Sequence, residues 1–134
     1  MTRPLLFAAI AALSGLAAPA LADDPLAVHR WRSRVLVIVA PEGADPRIEA
    51  QRRDARARRA DYAERDLVVV EAIGTGAEAD RIRARFGIGP RDFRVLLVGK
   101  DGDAKLTEAA PIPAARLFAT IDAMPMRREE KGRR

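Results

Sequence analysis

Three uninterrupted apolar runs punctuate this chain, at residues 35–39 (VLVIV), 67–70 (LVVV) and 95–98 (VLLV). A strand with one wet face alternates apolar and polar residues, so runs without alternation predict strands covered on both faces. Between the first two runs, Asp45 reads as a helix N-cap, with Pro46 at the first helical position. Ile48, Ala55 and Tyr62 recur at seven-residue spacing, which predicts one helix from 46 to about 64. After the second run Gly74 and Gly76 break the chain, and Ala79, Ile82 and Phe86 give a short amphipathic helix ended by Gly87, Gly89 and Pro90. The third run leads into Lys100-Asp101-Gly102-Asp103, a hairpin turn returning through a short strand near Lys105 and Leu106. Pro113 opens a last helix with Ala114, Leu117, Phe118 and Ile121 on one face, and Pro125 stops it.

The element order is therefore β-α-β-α-β-β-α. Strand, helix and strand with short joints imply a parallel pair with a right-handed crossover. Strands covered on both faces need helices on each side, and three helices can supply them. The expected fold is α/β, a four-stranded mixed sheet flanked by helices, occupying residues 23–125. Residues 126–134 (MRREEKGRR) read as a charged, flexible tail. Residues 1–22 read as a signal peptide: Arg3 gives a positive start, an Ala-rich apolar run follows, and Ala20-Leu21-Ala22 is a small-x-small cleavage site. The apolar run is short of the roughly 20 residues that a membrane span needs. Cleavage near Ala22-Asp23 would place the domain in the periplasm or outside the cell, the alternative being an uncleaved anchor. No later segment is apolar enough to span.

Composition narrows the chemistry. There is no cysteine, so neither disulfides nor thiol catalysis is open to this chain, and packing alone must hold an exported domain. Removing residues 1–22 takes only Arg3 among the charged side chains and leaves 112 residues at net +4, against +5 for all 134. That length suits one domain burying roughly 60–70% of its unfolded surface. Ser33, Thr75, Thr107, Thr120 and the lone His29 form a thin inventory of nucleophile and base. Hydrolysis needs a nucleophile, a base and an orienting group within reach of one another, and zinc needs three or four converging ligands. Neither pattern is present, and no cofactor is expected. Residues 74–79 satisfy G-x-G-x-x-A between a strand and a helix, but Glu78 would set a carboxylate where a pyrophosphate should sit. Arg52, Arg53, Arg56 and Arg59 could attract polyanions. Asp54, Asp61 and Glu64 are interspersed, no aromatic residues interleave, and a solvated helix face explains the pattern without nucleic acid. Trp31 and Tyr62 read as core or edge packing, and Phe86, Phe93 and Phe118 as core.

The stretches RWRSRVLVIVAP, FRVLLVGKDG and IDAMPMRR resemble the bacterial family called domain of unknown function 4174. That family is related to the thioredoxin and peroxiredoxin superfamily, and a similar domain occurs in some animal extracellular-matrix proteins. The resemblance covers essentially the whole chain after residue 22 and implies a thioredoxin-like fold, with no chemistry attached. Thioredoxins place a Cys-x-x-Cys where this chain reads Pro41-Glu42-Gly43-Ala44-Asp45-Pro46, at a helix start whose free N–H groups stabilise a thiolate. Here Asp45 can fill that helix end with its own carboxylate. Where thioredoxins hold a cis-proline, this chain has Arg94.

The expected function is thus a non-catalytic, exported domain binding a protein or envelope partner. The candidate surface is Pro41, Glu42, Asp45 and Pro46 together with Arg94. A redox-associated or other small envelope enzyme is the alternative, and weak polyanion binding through the arginine-rich helix a second one. The ligand and the oligomeric state are not readable from these residues.

Overall fold

The computed structural model describes residues 24–133. The expected signal peptide, 1–22, lies outside the described residues. A 3-10 turn at Ala27–His29 leads into β1 (Arg34–Ala40), α1 (Pro46–Ala57), α2 (Arg59–Glu64) and β2 (Leu67–Ile73). Then come α3 (Ala77–Phe86), β3 (Arg94–Val98), β4 (Ala104–Glu108), α4 (Ala114–Asp122) and α5 (Pro125–Gly132). The four strands form one mixed sheet in the order β2-β1-β3-β4, with β1 parallel to β2 and antiparallel to β3. Among the described residues no helix is long and apolar enough to cross a membrane.

Central position explains why β1 is apolar throughout. All seven of its residues are buried, Arg34 included. Leu36, Ile38 and Ala40 pack on one face with Ile48, Tyr62, Leu117 and Ile121 from α1, α2 and α4. Val35, Val37 and Val39 pack on the other with Ala79 and Ile82 from α3 and with Leu26 from the lead-in. Each fully buried Val, Leu or Ile contributes on the order of 1.5–3 kcal/mol, so the central strand and its two neighbouring faces form the core. Gly87, at φ 66°, ends α3 in the left-handed conformation that a Cβ would strain.

Four expectations need correction. The run 67–70 is not buried on both faces: β2 is an edge strand, and Val69 is 37% exposed. Its apolarity comes from lying between α1–α2 and α3, not from flanking strands. The helix expected over 46–64 is two helices, interrupted at Arg58 (φ −117°, ψ 30°), and the break seats Tyr62 edge-on against Phe118 at 5.7 Å. Trp31 is not core: it is 65% exposed, at φ 65°, with its backbone N–H donating to the Lys100 carbonyl at 2.7 Å. The segment read as a flexible tail contains α5, begun by Pro125 at its first position. Arg127 on α5 is fully buried, because its guanidinium reaches back to Glu64 and Asp122.

Candidate functional site

The end of the sheet where β1 delivers the chain to α1 carries the candidate residues. Asp45, in extended conformation, accepts the Arg47 backbone N–H at 2.9 Å and so caps α1, as Asp followed by Pro suggests. The same carboxylate takes three side-chain contacts from Arg47, Nε to both oxygens at 3.0 and 3.2 Å and an η nitrogen at 2.6 Å. These hydrogen bonds hold the Asp45 carboxyl below the usual carboxylate range. Behind the pair, the Arg47 guanidinium lies 4.2 Å over the Phe93 ring, and Phe93 is itself in the core. A cation in the first turn of α1 is thus stacked on a core aromatic and clamped by the helix cap.

Pro41, Glu42, Ala44, Asp45, Pro46 and Arg47 line an open concavity of about 480 Å³. Four of the five residues singled out in the sequence therefore meet there. Arg94 does not join them. It pairs with Val39 in the β1–β3 register, on the face of Val35, Val37 and Leu96, whereas α1 covers the opposite face. Its guanidinium donates to the Phe93 carbonyl at 2.7 Å and lies 3.7 Å from Asp92. Arg47 is the arginine of this site. Sequence spacing held a signal for it, since a cation two residues after an Asp N-cap is within reach of that cap.

The helix end, which favours an anion, already holds one, and that anion is neutralised by Arg47. No thiol exists in the chain, and among the described residues no three His, Asp or Glu side chains gather as a metal would require. His29 and Ser33 meet through backbone alone, the Ser33 N–H donating to the His29 carbonyl at 2.8 Å. The glycines at 74 and 76 join β2 to α3, but β2 is at the sheet edge and β3 runs antiparallel to β1. Among the described residues, the parallel strand that a dinucleotide fold would place next is not there. Three of the α1–α2 arginines are engaged: Arg52 with Glu71, Arg56 with Glu49 and Arg58 with Asp54.

At the opposite end of β1, a cluster that no local pattern signalled ties β1, α4 and α5 to the α2–β2 joint and the β3–β4 turn. Arg34, 1% exposed, donates to the Arg65 carbonyl at 2.8 Å and to both Glu130 oxygens at 3.2 and 3.3 Å. Lys100 donates to Glu130 at 2.6 Å and Asp66 at 2.9 Å. Arg65 and Arg127 share Asp122, with contacts between 3.1 and 3.3 Å. Burial raises the pKa of Glu130, and the bonds from Lys100 and Arg34 more than offset it, leaving it below the ordinary value of 4.5. Asp122 is held below 3.8 in the same way, burial being outweighed by Arg65 and Arg127. Cations and carboxylates here pair with one another, although the buried Arg34 Nε has no hydrogen-bond partner, and the cluster closes the fold.

Comparison with known proteins gives a family and similar proteins. Residues 25–130 match the family described as "Domain of unknown function (DUF4174)". The chain is 28% identical over 135 residues to coiled-coil domain-containing protein 80 of Danio rerio. That alignment covers 81% of this chain and 16% of the fish protein, so the chain spans less than a fifth of that relative's length. No solved structure matches.

Proposed function

This chain belongs to the DUF4174 family of domains of unknown function, and we propose that it works as an exported, thioredoxin-like domain that binds a protein partner and performs no redox chemistry. The observation that carries this reading is the Asp45–Arg47 pair at the start of α1. In a thiol oxidoreductase that position holds a thiolate, stabilised by the helix end. Here an internal carboxylate occupies it, a guanidinium neutralises it, and the surroundings are an exposed, proline-edged concavity. The mixed sheet with helices on both faces supports the thioredoxin-like assignment, and the signal-like residues 1–22 support export. Prolines at 41 and 46 fix backbone φ on both sides of the turn, so the surface is preorganised and loses little entropy on binding.

The experiment is a paired one on the full chain. Purified protein assayed with peroxide and with a small disulfide should turn over neither. Tagged protein recovered from the envelope fraction should carry a partner in stoichiometric amount, and Arg47→Glu, which sets a second carboxylate against Asp45, should lose it. Measurable thiol-independent turnover, or recovery of the partner undiminished by Arg47→Glu, would overturn the reading.

A further inference from the structure

The two edges of the sheet are not alike. Edge strands expose unpaired N–H and C=O groups, and proteins blunt them with charges, bulges, prolines or short length. β4 follows that rule: it has five residues, carries Lys105 and Glu108, and slips register at Leu97/Val98. β2 does not. Its seven residues keep an unbroken parallel register with β1, from Arg34↔Leu67 to Ala40↔Ile73. It contains no Pro, Gly or Lys, and its one charge is Glu71. Among the described residues no turn or loop backbone group bonds to residues 67–73. Val69 stands beside the fully buried Leu36 and is yet 37% exposed.

A groove runs along this edge on the α1–α2 side. About 390 Å³ of it is lined by Ala55, Arg59, Tyr62, Ala63, Leu67 and Val69. It continues past Val69 into about 300 Å³ where Arg52 and Arg56 face Glu71. The floor is apolar and the rim is guanidinium. Arg52 and Arg56 already hold carboxylates of this chain, whereas Arg59 has no ion pair among the described residues.

We propose that β2 accepts an extended acidic segment of a partner protein as a fifth strand, with alternate side chains entering this groove. The open backbone edge calls for a strand, since only another strand satisfies a row of donors and acceptors at that spacing. Arg59, the rim arginine with no ion pair among the described residues, calls for a carboxylate. A second copy of this chain fits less well, because pairing β2 with β2 would bring to one seam three arginines from each copy against two carboxylates, Glu49 and Glu71. This edge is separate from the α1 N-terminal surface, and its occupancy does not depend on the reading proposed for that surface.

The test uses the full chain and a fluorescein-labelled octapeptide alternating valine and glutamate, followed by fluorescence anisotropy. The peptide should bind, and its lysine counterpart should not. Methylating one alternate set of backbone nitrogens should weaken binding about tenfold, while methylating the other set, which faces away from the edge, should leave it unchanged. Val69→Lys and Arg59→Glu, both at exposed positions, should each weaken it to a similar degree, with unchanged melting curves, and Arg47→Glu should have no effect. No binding of the glutamate peptide, or equal tolerance of both methylated sets, would overturn strand addition. Sedimentation showing a dimer that Val69→Lys dissociates would overturn the acidic partner and give the edge to a second copy.

Discussion

Asp45 accepts the Arg47 backbone N–H at Oδ1 and holds the Arg47 guanidinium with both oxygens, so one carboxylate both starts α1 and fixes a cation on Phe93. Asp45→Ala should lower the Tm by a few degrees by leaving the helix N–H groups bare, and Asp45→Asn should recover most of that loss. Differential scanning calorimetry of the two variants checks the order. Gln51 matters more for stability. Its buried amide donates to the Ile112 carbonyl at 3.2 Å and accepts the Ile112 N–H at 2.7 Å, pinning the loop before α4 to α1. Gln51→Leu keeps the volume but strands two buried backbone groups, and urea unfolding should show a loss of about 2–4 kcal/mol. Residues whose partners are near in sequence were legible: Asp45 and Pro46 announce a helix start by themselves. Gln51 was not, because its partner is 61 positions away. Trp31 was misread because an aromatic ring is usually buried. Here a backbone bond to Lys100 turns the chain at φ 65° and leaves the ring in solvent.

Elements with their own periodicity emerged from the sequence as they stand: β1, β3, the β3–β4 hairpin, α3 and α4. α5 did not, and the reason is electrostatic. A run such as MRREEKGRR looks solvated until the opposite charges are known, and those lie at Arg34, Glu64, Lys100 and Asp122 on distant segments. Glu130 joins α5 to β1 and to the hairpin, so removing its charge should loosen the whole helix. Glu130→Gln should cost about 1–2 kcal/mol near neutral pH, as expected for charged hydrogen bonds partly replaced by an amide. The pH dependence has a definite sign. Glu130 and Asp122 have folded pKa values below their ordinary 4.5 and 3.8, so in that range the unfolded chain binds more protons than the native one. Their contribution is complete above the unfolded values and is lost as pH falls through the folded ones. Denaturation midpoints measured from pH 6 down to pH 3 should fall for the wild type and fall less steeply for Glu130→Gln.

At the scale of the molecule, three Val/Leu-rich segments side by side account for the fold, with β1 in the middle and helices on both faces. The class of fold was legible, because continuous apolar strands demand cover on both faces. The rank of each strand was not, since an edge strand lying between helices is as apolar as a central one. Part of the candidate surface was legible too: Pro41, Glu42, Asp45 and Pro46 meet in one concavity, while the pleat of β3 sends Arg94 to the other face. The chain contains no cysteine, and the binding role proposed for the start of α1 is open to direct test. The most direct measurement is site-specific photo-crosslinking in living cells, with a photoreactive residue placed in turn at positions 42, 44, 47 and 128. Adducts to another protein should form from 42, 44 and 47 and not from 128, on the exposed side of α5. Adducts absent from all three, or no more abundant there than from 128, would contradict a binding role for the start of α1.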